Sequence, residues 1–131
     1  MSTGLSLRRH PLALLRPRLQ RRGWRAAQEL QELHDGAPTW ACGLVTMRQQ
    51  PVTAKGTTFV TLEDETGSIN VIVWRQVRHR QRLTLMNARL LAVVGQWQNR
   101  DGVRHLVARR MLDVSAWLGD LAAQTSSRDF R

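Results

Sequence analysis

The chain has 131 residues, which is enough for one hydrophobic core and too few for a two-domain enzyme. Its 20 basic residues against 10 acidic ones give a formal net charge of +10, which favours a polyanionic partner over the near-neutral balance of an ordinary enzyme. The single cysteine, Cys42, excludes an internal disulfide, and the apolar run Leu12 to Leu15 is too short for a membrane span or a secretion signal.

The positive charge is concentrated in one part of the chain. Residues 75–112 carry nine Arg against Asp101 alone, a net +8, whereas residues 1–36 sum to +4 and the other two segments to −1 each. Nineteen of the 20 cations are Arg, and both bidentate phosphate binding and a GC-rich genome would explain that preference. A genomic excess of Arg would be spread evenly, so the clustering favours nucleic-acid binding.

Before residue 38, apolar residues at helical spacing predict one or two short helices. Pro17 lies inside the first pattern and is expected to kink or end that helix. The apolar stripe needs cover, so we expect these helices to pack against a body that starts near Pro38. The stripe consists of Leu12, Leu15, Leu19, Ala26, Leu30 and Leu33.

After residue 38 the apolar period changes to two, which predicts five strands. Asp64 to Gly67 is a tight acidic turn, and Asn99 to Gly102 is a hairpin turn ending in Asp-Gly. Arg75 to Leu85 suits a short basic helix or an irregular crossover, and a last helix is expected around Ala116 to Ala122. The predicted strands are Thr39 to Gln49, Thr57 to Glu63, Ser68 to Trp74, Leu90 to Gln98 and Val103 to Leu112.

The order of three strands, a crossover and two strands predicts a mainly β protein with a five-stranded OB-fold, a Greek-key barrel that binds oligonucleotides across strands two and three. An SH3-like barrel is the main rival, and Gly43 and Gly95 fall in strands one and four, where a small barrel must bend sharply. We expect a helical lead over residues 1–37, the barrel over residues 38–112, and a C-terminal helix and tail over residues 113–131.

One face of strands two and three carries candidate base-binding residues. If the aliphatic sets form the core, alternation places Phe59, Thr61, Asn70 and Trp74 together on the opposite surface. Aromatic rings beside hydroxyl and amide groups are typical of a stacking platform for single strands. The alternative is that Phe59 or Trp74 is buried under the N-terminal helices.

Cations flank that face in the predicted fold. Arg48 and Lys55 lie in or beside the loop between strands one and two, where OB-folds grip the nucleic-acid backbone. On strand five, Arg104, Arg109 and Arg110 are the cations most expected to contribute a sequence-independent field.

The sequence offers little for catalysis or metal binding. Glu63, Asp64 and Glu65 resemble a magnesium cluster, but they directly precede Thr66 in a short turn, where acids usually cap backbone amides. The serines have no paired His and Asp in a recognisable arrangement, the histidines are scattered, and no phosphate-binding glycine loop occurs. We therefore expect no cofactor, no metal and no catalytic residue.

Eight segments, spread over nearly the whole chain, carry a resemblance to one family. They are Thr3 to Pro11, Ala41 to Val45, Thr53 to Gly56, Phe59 to Gly67, Asn70 to Trp74, Ala88 to Leu91, His105 to Arg110 and Ser127 to Arg131. Together they resemble the C-terminal OB domain of the error-prone DNA polymerase III alpha-subunit family. The Ala54-Lys55-Gly56 loop and the Arg128-Asp129-Phe130 ending are the specific parts of this resemblance, whereas the strand from Phe59 to Gly67 also resembles anticodon-binding domains of aspartyl-tRNA synthetases.

The resemblance implies a non-catalytic module in DNA repair, used when damage-induced replication crosses lesions. The family's catalytic acids have no counterpart in these 131 residues, so this chain alone is not expected to polymerise DNA. Single-stranded DNA is the expected partner, and the resemblance adds a Y-family-like translesion partner and the sliding clamp. The alternative is a protein-interaction module with no significant nucleic-acid binding. We expect a cytoplasmic, nucleoid-associated bacterial protein without membrane contact.

Overall fold

The computed structural model describes residues 10–121. The elements begin with helices α1 (Pro11–Arg21) and α2 (Ala27–Leu30), strand β1 (Pro38–Gln49) and the 3-10 turn Val52–Ala54. They continue with strands β2 (Thr58–Asp64) and β3 (Gly67–Val73), helices α3 (Arg75–Arg80) and α4 (Arg82–Asn87), and strands β4 (Leu90–Arg100) and β5 (Val103–Asp113). Residues 116–121 are helical, and the last residue of the predicted C-terminal helix, the Arg128-Asp129-Phe130 ending and most of the Thr3 to Pro11 segment lie outside the described residues.

The five strands form a closed barrel in the order β1-β2-β3-β5-β4. Every pairing is antiparallel except β3 with β5, which run parallel and pair at Val71 with Leu106 and Ile72 with Val107. The α3–α4 crossover leads the chain from β3 to β4 and so makes this parallel closure possible. This is OB-fold topology, which confirms that prediction over the SH3-like alternative.

A two-residue turn connects β4 to β5. Arg100 pairs with Val103, so the β4–β5 turn consists of Asp101 and Gly102, both with positive φ of 53° and 79°. Positive φ at both central residues is the geometry of the hairpin turn that Asp-Gly favours. The predicted hairpin is therefore confirmed, and β4 extends two residues beyond its predicted end at Gln98, to Arg100.

The predicted barrel glycines lie where strands approach closely. A Cβ at Gly95 would lie 1.8 Å from the carbonyl oxygen of Val107, beside a bulge between Val94 and Gly95. A Cβ at Gly43 would lie 2.9 Å from the Cβ of Leu62 on the neighbouring strand. A larger residue at Gly95 would push β5 away from β4, so this glycine is required for barrel closure.

The barrel interior is the aliphatic set predicted from alternation. Val60 and Leu62 on β2 and Ile69, Val71 and Val73 on β3 are all buried. Trp97 of β4 is the largest side chain of this core and is 1% exposed. The opposite faces of β2 and β3 are thereby turned outward.

The N-terminal helices pack on the barrel as expected. Leu12 and Leu19 of α1 are fully buried in a second cluster that includes Cys42 of β1 and Leu90 of β4, while Leu30 of α2 joins the main core. Removing this cover would expose apolar barrel surface to water. No helix within residues 10–121 combines the length and apolarity needed to cross a bilayer.

Of the two expected effects of Pro17, ending the helix does not occur, because α1 continues to Arg21. Pro17 lacks only the N–H that would reach the carbonyl of Ala13, and the buried Leu15 and Leu19 hold the chain on both sides of it. Helix α2 is shorter than its apolar pattern and ends at Leu30, although Leu33 still packs against the core.

An aromatic stack joins the lead, the barrel and the C-terminal helix. Trp24 lies between Trp40 of β1 and Trp117, with ring centroids 5.1 Å and 5.7 Å away and nearly parallel planes. The guanidinium carbon of Arg18 lies 3.9 Å from the ring centroid of Trp117. These contacts hold both ends of the described chain against the same side of the barrel.

Candidate nucleic-acid interface

The outward surface of β2 and β3 brings together three of the four predicted face residues on adjacent strands. Thr61 lies opposite Asn70 in the register, and Phe59 lies opposite Ile72. Phe59 is 39% exposed and Asn70 is exposed, whereas Thr61 is partly covered. This surface presents one ring, one hydroxyl and one amide to solvent, the chemical groups that can stack on bases and meet their polar edges.

Trp74 lies at one end of this surface. Strand β3 ends at Val73, and Trp74 is the extended residue that precedes α3, with its side chain 49% exposed. Because β2 and β3 are antiparallel and Thr58 pairs with Val73, the start of β2 lies beside the end of β3. Phe59 and Trp74 therefore share that end, and the alternative that either is buried under the N-terminal helices is wrong.

The flanking strands widen this surface beyond the predicted residues. Gln49 of β1 pairs with Phe59, Met47 pairs with Thr61, and Val107 of β5 pairs with Ile72. Met47 is 50% exposed, so its thioether adds a flexible apolar contact beside the hydroxyl of Thr61. The sequence shows no sign of these neighbours, because only the strand register decides which residue of β1 or β5 meets β2 or β3.

The two loop cations have different surroundings. The Nε of Arg48 donates to the carbonyl of Leu85 at 2.7 Å, and its Nη2 donates to the carbonyl of Ala88. These carbonyls lie at the end of α4, where helical backbone groups lack partners, so Arg48 serves as a cap for that helix. Lys55 is exposed and takes the left-handed conformation, with φ of 53°, at the end of the 3-10 turn.

The three predicted arginines of β5 do not share one face. Arg104 pairs with Asn99 near the hairpin tip, and its separation of three residues from the outward Val107 places it on the opposite face of β5. Arg110 lies beyond the bulge, with its guanidinium carbon 5.8 Å from the ring centroid of Trp40 in the aromatic stack on another side of the barrel. Arg109 is exposed and follows Val107 by two residues, which places it nearest to the β2–β3 surface.

The cations near this surface are not neutralised by neighbouring acids. The ion pairs within residues 10–121 involve His10, Arg16, Arg18 and Arg100, and none of the cations of the interface. The described residues contain no group of three or more His, Cys, Asp or Glu that could hold a metal ion. The interface thus offers stacking, hydrogen bonding and positive charge, and these groups support binding.

The acidic turn that could have been a magnesium site is occupied by contacts within the chain. Asp64 is buried and accepts hydrogen bonds from the backbone amides of Ala27, Thr66 and Gly67. Glu65 receives two hydrogen bonds of 2.7 Å from the guanidinium of Arg16. The Arg16 bond lowers the pKa of Glu65 and raises the pKa of Arg16.

Comparison with protein families matches residues 39–114 to the OB-fold nucleic acid binding domain. The chain is 54% identical over 99% of its length to an error-prone DNA polymerase of Methylococcus capsulatus, and 54% identical over 98% to that of Xanthomonas axonopodis pv. citri. It spans about 12% of the length of each polymerase. These matches confirm the resemblance found in the sequence.

Solved structures show the same fold at low sequence identity. Asparaginyl-tRNA synthetase from Pyrococcus horikoshii, complexed with asparaginyl-adenylate, matches 70% of this chain and 22% of its own, with a TM-score of 0.59 and 16% identity. Aspartyl tRNA synthetase from Entamoeba histolytica matches 70% of this chain and 21% of its own, with a TM-score of 0.58 and 8% identity.

Proposed function

The chain belongs to the OB-fold nucleic-acid-binding domain family, and from that premise we propose that its β2–β3 surface binds single-stranded DNA. The observation that carries the proposal is the pair of exposed rings, Phe59 and Trp74, at one end of two paired strands. Large aromatic side chains are usually buried, and exposing two of them at one end of the surface costs free energy that stacking on bases would recover.

The polar neighbours of those rings fit the same partner. Asn70 offers an amide that both donates and accepts hydrogen bonds, and Thr61 offers a hydroxyl with the same versatility. Such groups meet base edges without selecting one base, so binding is sequence-tolerant. Lys55 and Arg109, both exposed, supply charge for the phosphates at the borders of the surface.

The similarity to error-prone DNA polymerases supports a proposed cellular role. As a part of an error-prone DNA polymerase, this module would hold template strand during damage-induced synthesis across lesions and would leave the chemistry to other domains. A translesion partner and the sliding clamp belong to that proposal. The module itself supplies binding, and polymerisation by this chain alone is not expected.

A second candidate function is protein docking, and one feature of α4 favours it. Leu83 and Met86 are 77% and 52% exposed and lie three residues apart, which places them on the same side of a helix. Exposed apolar pairs of this kind often contact other proteins. This surface is distinct from the β2–β3 residues, so the two functions predict different sensitive variants.

A fluorescently labelled thymidine oligonucleotide tests the proposed function. The affinity of the chain for the probe, measured by anisotropy, should fall linearly on a log–log plot as salt rises between about 50 and 200 mM. An RNA probe of the same length measures the preference for DNA. If the chain leaves the probe unbound at the lowest salt, the DNA-binding proposal is wrong and protein docking through α4 becomes the favoured function.

A further inference from the structure

A basic concavity runs along α3, outside the β2–β3 surface. It is open to solvent, encloses about 760 Å³, and is lined by Arg75, Gln76, Arg78, His79 and Arg80. Three of the five lining side chains are Arg, and none is acidic. Such a surface attracts an extended polyanion more strongly than it attracts a neutral ligand.

The concavity begins where the aromatic surface ends. Trp74 is the residue directly before α3, and Arg75 is the first residue of the helix. The side chain of Arg75 also covers Gly56, since a Cβ at Gly56 would lie 2.9 Å from the Cγ and Cδ of Arg75. The loop that carries Lys55 therefore abuts the same end of the concavity.

The far end of α3 reaches β5. The Nη2 of Arg80 donates to the carbonyl of Arg109 at 3.1 Å. Because Arg109 is exposed, its own guanidinium adds a further cation at this border. A continuous row of positive charge thus connects the Lys55 loop, the outer side of α3 and the edge of β5.

The charges in this row are available to a ligand. Within residues 10–121, no ion pair involves Arg75, Arg78 or Arg80. Arg75 and Arg80 are both exposed, so the oxygens of a phosphate can reach their guanidinium groups.

We propose that the α3 concavity binds the phosphates of a single strand as the strand leaves the Phe59–Trp74 surface. This inference rests on the proposed function and extends it, because it assigns the direction in which the strand continues and a ligand class, the sugar-phosphate backbone. The lining contains no Phe, Tyr or Trp and three Arg, so the strand is held here mainly by charge. Oligonucleotides long enough to span both surfaces then bind more tightly than those that fill only the first.

The test compares short and long thymidine oligonucleotides, of about 4 and about 12 nucleotides, on the charge-removing variant R75Q/R80Q. Removing two phosphate contacts should reduce the magnitude of the log–log salt slope for the long probe by about 1.4. The affinity for the short probe should stay within about twofold of the parent, since that probe fills the β2–β3 surface alone.

Two further variants separate local contact from net charge and from folding. R21Q/R25Q removes the same charge from exposed positions at and after the end of α1, and it should leave the long-probe slope unchanged. R75K/R80K keeps the charge and should retain most of the slope. Thermal unfolding of all variants verifies that each is folded, and Arg75 and Arg80 are both exposed in the parent.

The possible results distinguish a failure of the proposed function from a failure of the inference about α3. If the parent binds neither probe, the proposed function is wrong and the inference falls with it. If the parent binds both probes and R75Q/R80Q binds the long probe with the parent's slope, the inference alone is wrong. An equal loss in R75Q/R80Q and R21Q/R25Q also overturns it, because net charge would then explain the effect.

Discussion

The carboxylate of Asp64 accepts a hydrogen bond of 2.7 Å from the backbone amide of Ala27, a residue 37 positions earlier in the chain. Asp64 is the last residue of β2, directly before the turn to β3, and Ala27 begins α2, so this bond attaches the N-terminal lead to the barrel. Arg16 of α1 strengthens the attachment with contacts to both Asp64 and Glu65. The acidic turn is thus a structural anchor beside the binding surface.

Replacing Asp64 by Ala should destabilise the protein strongly. The substitution leaves the amides of Ala27, Thr66 and Gly67 without their acceptor, and a buried unpaired donor costs about 1–3 kcal/mol. We expect the free energy of unfolding, measured by urea denaturation, to fall by at least about 3 kcal/mol. The neighbouring Glu63 is half-exposed, and Glu63→Ala, as the control, should change the free energy of unfolding by under about 0.5 kcal/mol. If both variants lose the same free energy of unfolding, Asp64 does not anchor the lead.

The Arg16–Glu65 pair should make stability depend on pH in the acidic range. The hydrogen bond from Arg16 lowers the pKa of folded Glu65, so the pair stabilises the fold above the unfolded pKa of about 4.3. That stabilisation is lost as the pH falls through the lower, folded pKa. Melting temperatures from pH 7 to pH 2 should therefore decline less steeply in Glu65→Gln than in the parent. Asp35, whose pKa is lowered by the Asn99 amide and by Arg100, leaves a residual decline in both proteins.

The strands and the inward residues were predictable because they follow from local pattern. Alternation separates Val60 from Phe59 and Val71 from Asn70 without knowledge of any distant contact. The Asp101-Gly102 dipeptide likewise specifies its own hairpin turn. These features depend on residues within a few positions of one another.

The hydrogen-bond partners of long polar side chains were not predictable from the sequence. Arg48 precedes a polar loop and could bind phosphate through its guanidinium. In the structure that guanidinium instead donates hydrogen bonds to backbone carbonyls 37 and 40 residues away. The continuation of α1 past Pro17 likewise depends on what covers Leu15 and Leu19. Both outcomes are set by tertiary packing, which the local pattern does not contain.

Cys42 should be inert until the barrel opens. Its side chain is 1% exposed, and burial raises its pKa to about 12. At pH 8 that leaves on the order of one thiol in ten thousand as the reactive thiolate. We expect Ellman's reagent to label the native protein very slowly and the guanidinium-unfolded protein at once. Complete labelling of the native protein within seconds would show that α1 does not cover β1 stably.

Substitutions of Arg48 and Lys55 should affect different properties. Arg48→Ala removes the donors that bind the Leu85 and Ala88 carbonyls and should lower the free energy of unfolding by about 1–3 kcal/mol. Lys55→Gln should leave stability within about 0.5 kcal/mol and reduce the salt slope of oligonucleotide binding by about 0.7. Urea denaturation and fluorescence anisotropy measure the two effects. If Arg48→Ala instead keeps the stability of the parent and reduces the salt slope, the capping role is wrong and Arg48 contacts phosphates, as the sequence predicts.

Removing either exposed ring should weaken binding without unfolding the barrel. Phe59→Ala and Trp74→Ala should each cost about 1–3 kcal/mol of binding, roughly 5- to 150-fold in Kd, because a base loses its stacking partner. Neither ring belongs to the core, and Trp74 makes no side-chain cap bond to α3, so the melting temperatures should stay near that of the parent.

Phe59→Leu keeps the apolar bulk and should bind as weakly as Phe59→Ala if stacking is the cause. The matched control is Leu14→Ala, which trims an apolar side chain of α1 that is 48% exposed and should bind like the parent. If both aromatic variants bind oligonucleotide as well as the parent, the β2–β3 surface is not the binding site, and Leu83 and Met86 on α4 become the residues to substitute in a search for a protein partner.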